Sequence, residues 1–104
     1  MAISKIDYIG STETTTITLA YGTISIVANK RTKEAWLRWN GNATAPTEDS
    51  YSGTLPSGII PTVSLTTIMY RGQTIDVTAS GTFNLNFGAN RQTWTAGSLS
   101  FPIQ

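Results

Sequence analysis

Hydrophobic and polar residues alternate along most of the chain with a period of two, which is the pattern of half-buried β-strands. The segments that show this alternation are 14–21, 24–28, 34–40, 75–79, 83–87 and 94–101, and the apolar residues of 63–70 predict a further strand or strand pair. No stretch of about 11 residues has the i, i+3, i+4, i+7 spacing of an amphipathic helix. The pattern predicts an all-β chain of about eight short strands, arranged as a two-sheet antiparallel sandwich that is jelly-roll-like.

Three places leave room for interpretation. Residues 3–9 mix apolar and charged side chains, so they could form a short edge strand or an arm lying on a neighbour. Gly22 could close a hairpin or bend one long strand. The alternation in 94–101 changes phase at Gly97, which places Trp94 in a last strand and predicts a bulge within it.

The segment 34–40 is the most aromatic strand of the chain. Leu37 and Trp39 share one of its faces, which favours a core position for Trp39. Trp36 lies on the opposite face, in phase with the polar residue Arg38. It is therefore the better candidate for an exposed ring or a subunit contact.

A long loop of small and polar residues follows this strand. The turn pair Asn40-Gly41 opens it, and glycine, proline, asparagine, serine and threonine dominate as far as residue 58. Tyr51 and Leu55 could anchor a short strand inside it. Loops of this length in a small domain are often functional, and Tyr51 could equally be a core residue or a ligand contact.

Composition limits the classes of partner. The chain has 104 residues, enough for one domain spanning 1–104 and too few for two. Charged residues make up 12% of the chain, against about 25% in an average soluble domain, and the formal net charge is +1. Attraction to nucleic acid is therefore weak, and so is repulsion between copies, which favours a homo-oligomer. We expect no membrane insertion, because no apolar run approaches the roughly 20 residues of a membrane helix, and segment 1–10 does not resemble a signal peptide.

The sequence offers little catalytic chemistry. It contains no cysteine and no histidine, which removes the usual transition-metal ligands and the usual proton shuttle. Glu48 and Asp49 are adjacent acids in the long loop, a weak basis for a paired-carboxylate glycosidase and a somewhat better one for calcium. Neither kind of site has a recognised ligand spacing in this sequence, and no glycine-rich phosphate loop is present. We expect no cofactor, no metal and no enzymatic activity.

The aromatic residues suggest a possible ligand surface. Three tryptophans and four tyrosines could supply rings on which the apolar face of a sugar packs, with asparagine and aspartate holding its hydroxyl groups. Core packing is the competing explanation for each ring. The residues we select as candidate binding residues are Trp36, Arg38, Asn40, Asn42, Asp49 and Tyr51.

Within the segment 37–47, Arg38-Trp39 is followed by Asn40-Gly41-Asn42 and then by Thr44-Ala45-Pro46-Thr47. This arrangement resembles small bacteriophage virion proteins, in which an arginine-tryptophan strand is followed by a polar turn and a Thr-Ala-Pro-Thr-like loop. The segments Ile75-Asp76-Val77 and Phe83-Asn84-Leu85 fall where such proteins carry their last core strands. The resemblance covers about half of the chain and implies a virion location, as a capsid decoration protein, a piece of a head fibre or a tail-associated module.

We therefore expect a non-enzymatic structural protein of a bacteriophage particle, made in the host cytoplasm. It would associate with itself, with a trimer favoured, and with other virion proteins. The alternative is a carbohydrate-binding module that recognises a cell-surface glycan through Trp36, Tyr51 and the 40–49 loop. These two hypotheses are compatible, since receptor-binding tips are also structural.

Overall fold

The computed structural model describes residues 12–70, 72–89 and 91–104. Its strands are β1 (Thr12–Leu19), β2 (Gly22–Asn29), β3 (Glu34–Gly41), β4 (Ser50–Thr54), β5 (Leu65–Tyr70), β6 (Gln73–Val77), β7 (Thr82–Asn86) and β8 (Ala96–Pro102). They form two four-stranded antiparallel sheets, ordered β1-β2-β3-β8 and β4-β7-β6-β5. The predicted all-β sandwich is confirmed, while the segment 3–9 lies outside the described residues. Among the residues described, no helix has the length and apolar character needed to cross a membrane.

The first sheet grows from two consecutive hairpins. β1 pairs with β2 in full register, so Gly22 begins the second strand of a hairpin and does not bend one long strand. The charged turn 30–33 then joins β2 to β3. Asn29 stabilises this turn, because its side-chain Oδ1 accepts the backbone N–H groups of Arg31 and Thr32.

The second sheet contains the short strand that the sequence allowed inside the long loop. This strand, β4, pairs with β7, and the hairpins β5-β6 and β6-β7 complete the sheet. The pairs β3·β8, β4·β7 and β5·β6 are thus nested along the chain. Nested antiparallel pairs are the Greek-key connectivity on which jelly rolls are built.

The core lies between the two sheets and follows the period-two pattern. Buried and less buried positions alternate along β2, β3, β6 and β7. Its largest fully buried rings belong to Trp39, Phe83 and Phe87. The core position predicted for Trp39 is thereby confirmed.

The last strand differs from its prediction. β8 begins at Ala96 and pairs with β3 in unbroken register, so Trp94 precedes the strand and the bulge predicted at Gly97 is wrong. A register shift is found instead between Ile68 and Tyr70, where β5 pairs with β6. Trp94 has a backbone φ of 58°, in the left-handed region, and this conformation interrupts the extended chain just before β8.

The connections after β1, β3, β5 and β7 all lie at one end of the sandwich, because the strands alternate in direction. We call this end the loop end. It carries the two long loops 42–49 and 87–95. The opposite end carries the turn 30–33 and the segment 55–64.

Candidate functional site

Three buried rings support the loop end from below. Tyr21 lies in the turn after β1, Trp39 near the end of β3, and Phe87 directly after β7. The ring centroids of Trp39 and Phe87 are 5.3 Å apart, and those of Tyr21 and Phe87 are 5.5 Å apart with nearly perpendicular planes. Such edge-to-face and tilted pairs add specific geometry to apolar burial. A cluster of three packed, buried rings therefore lies beneath the long loops.

Trp39 also fixes one of these loops through its polar atom. The indole Nε1 donates a buried hydrogen bond of 3.0 Å to Oγ1 of Thr95, which is 6% exposed. The backbone N–H of Gly41 donates to the carbonyl of Thr95 at 2.6 Å. A buried indole N–H without an acceptor would be unfavourable. Thr95 is thus held in place from both its side chain and its backbone.

Trp94 precedes this anchor and points away from the core. It is 69% exposed, and its φ of 58° is unusual for a bulky residue. Its backbone N–H donates to the carbonyl of Asn42 at 2.9 Å. The loop end therefore presents a large ring to solvent from a constrained backbone.

Asn42 connects three segments of the loop end. Its backbone N–H donates to the carbonyl of Tyr21 at 3.1 Å, and its side-chain Nδ2 donates to the carbonyl of Ala20 at 3.1 Å. Its Oδ1 accepts the N–H of Thr44 at 2.8 Å, and its carbonyl accepts the N–H of Trp94. The side chain of Asn42, one of the predicted binding residues, thus takes part in hydrogen bonds that hold the loops together.

An ion pair joins the two long loops. The guanidinium of Arg91 pairs with the carboxylate of Asp49 and also donates to the carbonyls of Thr47, at 2.8 Å, and Gly88, at 3.3 Å. The carbonyl of Asp49 in turn accepts the N–H groups of Phe87 and Gly88. The Asp49 carboxylate, considered from sequence as a sugar or calcium ligand, is therefore already paired with a cation.

The phenol of Tyr21 is the one group in the described residues with a clearly perturbed acidity. Burial raises its pKa, and the nearby carboxylate of Glu48 and phenol of Tyr51 raise it further. All three effects disfavour the phenolate. Tyr21 therefore stays neutral beneath the loops, where its ring packs against those of Trp39 and Phe87.

Trp36 lies on the side of the first sheet that faces away from the core, and we call this side the outer face of the first sheet. Its residues are Thr12, Thr14, Thr16 and Thr18 of β1, Thr23, Ser25, Val27 and Asn29 of β2, Glu34, Trp36, Arg38 and Asn40 of β3, and Ala96, Ser98, Ser100 and Pro102 of β8. Trp36 is half-buried in the row Thr14, Val27, Trp36, Ser100, while Arg38 and Asn40 are exposed. A shallow depression of about 410 Å³ lies beside Arg38, Asn40 and Ser98.

The six candidate residues do not converge on one site. Three share the outer face of the first sheet and two lie at the loop end, whereas Tyr51 points inward, with its ring centroid 6.1 Å from that of Phe83. Sequence reasoning did not select Trp94, Thr95 or Arg91. A threonine beside a tryptophan in a turn-rich segment gives no periodic signal, so only the folded contacts reveal their role.

Within the described residues, no three acidic side chains form a group that could hold a metal ion. The fold and the site define a two-sheet β-sandwich with a hydroxyl-rich outer face and a loop end that carries an exposed tryptophan. Comparison with known protein families, curated proteins and solved structures finds no match to this chain.

Proposed function

We propose that this chain is a non-enzymatic structural module of a bacteriophage particle, decorating the capsid or forming part of a head or tail fibre. We further propose that it self-associates as a homotrimer through the outer face of the first sheet and contacts other virion proteins. The virion assignment follows from the resemblance of the segment 37–47, and the outer face supports the assembly role.

The composition of this outer face is the observation that carries the assembly proposal. Glu34 and Arg38 are its charged residues, and serine, threonine and asparagine supply most of the rest. Trp36 and Val27 form a half-buried apolar centre on adjacent strands. Aromatic residues and arginine are enriched in protein interfaces, whose cores are depleted of other charges. A largely polar surface that carries Trp36 and one residue of each charge, Glu34 and Arg38, therefore fits burial against another copy.

The oligomeric state tests this proposal. Native mass spectrometry and light scattering are expected to show a species of three chains that dissociates on dilution. Ser98→Arg adds a charge to the outer face without touching Trp36, and we expect it to weaken association at least tenfold. Ser52→Arg is the control, because Ser52 is also an exposed serine but lies on the outer side of the second sheet, where its hydroxyl donates to Oδ1 of Asn84. Association of the control should match the wild type.

A protein that stays monomeric at millimolar concentration would refute the assembly role, and so would equal weakening by both arginine variants. The virion assignment has its own test. Proteomic analysis of purified particles from the phage that carries this gene should detect the chain in a fixed copy number. Its absence from those particles, together with no affinity of the purified chain for them, would overturn the assignment.

A further inference from the structure

We propose that the loop end is a carbohydrate-binding site in which the exposed ring of Trp94 packs against the apolar face of a neutral pyranose sugar. This inference goes beyond the assembly role and does not depend on it, because it uses the loop end and not the outer face of the first sheet. It also differs from the glycan site expected from sequence, which relied on Trp36 and Tyr51.

The first argument is the conformation of Trp94. An indole that is 69% exposed gains little from burial, and a φ of 58° is unfavourable for a bulky L-amino acid. Neither feature helps the chain to fold. Strained, exposed residues that are held firmly by their surroundings are typical of ligand contacts.

The second argument is that Trp94 is preorganised. Its own N–H is bound by Asn42, and Thr95 beside it is held by Gly41 and by the buried indole of Trp39. A ligand would meet a backbone that is already ordered and would not have to order it on binding. A site whose backbone is already ordered suits a ligand that makes few polar contacts.

The third argument concerns the chemistry around the ring. Thr93 precedes Trp94 in the chain, and Ala43 and Thr44 follow its backbone partner Asn42; all three are exposed, and none of them is charged or large and apolar. Asp49 and Arg91, an ion pair in the same two loops, neutralise each other. A neutral, hydroxylated ligand with one apolar face fits these surroundings.

Other partners fit less well. The other large hydrophobic residues that are exposed in the described part of the chain are Ile60, Val63 and Ile68. Ile60 and Val63 belong to the segment 55–64 at the opposite end, and Ile68 lies on the outer side of the second sheet. Ile60 and Val63 are thus too far from Trp94 to form with it the contiguous apolar patch that a protein hot spot normally has. Stacking on a nucleic-acid base would normally be accompanied by a basic groove, and Arg91 is occupied by Asp49.

The test follows the indole N–H signals of ¹⁵N-labelled protein by NMR. The chain has three tryptophans, so Trp36 and Trp39 serve as internal controls. Methyl glycosides of glucose, galactose and mannose and of N-acetylglucosamine are titrated to high millimolar concentration, and a glycan array is screened in parallel. We expect at least one sugar to shift the Trp94 signal in a saturable manner while the other two signals move little.

Trp94→Asn removes the ring but keeps a residue that tolerates the left-handed region, and it should weaken binding at least tenfold. Trp94→Tyr keeps a ring and should retain part of the affinity. Ile68→Thr, which removes another strongly exposed hydrophobic side chain, should bind like the wild type. An unchanged Trp39 signal shows that each variant is folded.

Three outcomes would overturn the proposal. The first is that no glycoside and no arrayed glycan produces saturation, and the second is that binding survives Trp94→Asn. The third is that the Trp94 signal shifts with protein concentration alone, which would assign the ring to a contact between copies. Failure of sugar binding leaves the trimer test unaffected, because Ser98→Arg probes a different surface.

Discussion

The bond between Trp39 and Thr95 is the link between the core and the loop end, and Thr95→Val tests it. Valine has nearly the shape of threonine, so the change removes the hydroxyl acceptor and leaves the buried indole N–H of Trp39 without its 3.0 Å partner. A buried donor left unsatisfied costs about 1–3 kcal/mol of unfolding free energy. For a domain of this size, each kcal/mol lowers the melting temperature by roughly 4–8 °C.

The assay is urea unfolding followed by far-ultraviolet circular dichroism, within a double-mutant cycle. Trp39→Phe removes the donor, so Thr95→Val should cost no more than about 0.5 kcal/mol in that background. Thr93→Val is the matched control, because Thr93 is exposed and lies two residues away. We expect its effect to stay within about 0.5 kcal/mol.

The reasoning fails if Thr95→Val is nearly neutral in the wild-type background. It also fails if the change costs the same with and without the indole, because the two side chains would then be uncoupled. If the bond does position the loop, Thr95→Val should also weaken sugar binding at Trp94, although Thr95 itself lies beneath the site.

Three further predictions concern the core that supports this site. Phe87→Ala should lower the free energy of unfolding by about 3–5 kcal/mol, because it empties a fully buried ring position. Ile68→Ala, at a 75% exposed position, should change the free energy of unfolding in urea by less than about 0.5 kcal/mol. Similar values for both would contradict the assigned strand faces. Gly22→Ala should destabilise the fold strongly in thermal unfolding, because a Cβ at this position would lie 2.3 Å from Cη2 of Trp39; wild-type melting would show that this space is not needed. The pKa of Tyr21 is raised in the fold, so its contribution to stability is fully present below the unfolded value of about 10 and is lost as the pH rises through the folded pKa. In urea titrations, Tyr21→Phe should therefore reduce the loss of stability that occurs as the pH rises above about 10. An unchanged pH profile would contradict the burial of this phenol.

Much of the fold was predictable because burial in a sandwich repeats every two residues. The alternation of Phe83, Leu85 and Phe87 indicated an inward face, and all three are fully buried or nearly so. The same rule placed Leu37 and Trp39 together in the core. For these strands, alternation within the strand is sufficient to assign side chains to the core, since the strands that pair with them follow the same period of two.

The rule failed where a single residue leaves the extended conformation. Trp94 looks like a strand residue because it is two positions before Ala96, yet its left-handed backbone turns the ring out to solvent. The backbone beside Trp94 is held by Trp39, whose indole N–H donates a hydrogen bond to Thr95 across a sequence separation of 56 residues. Contacts of that range have no local signature, so the loop end could not be assembled from the sequence alone.

The last residues of β8 and those directly after it lie far from Trp94. Ile103 donates its N–H to the carbonyl of Lys33, and Gln104 donates to that of Ile60, so Gln104 lies at the end of the sandwich opposite Trp94. The seven residues of β8 separate these two ends by roughly 23 Å. A tether, label or fused domain joined at Gln104 would therefore leave Trp94 at the far end of the sandwich from the attachment point, where its ring stays accessible to molecules in solution.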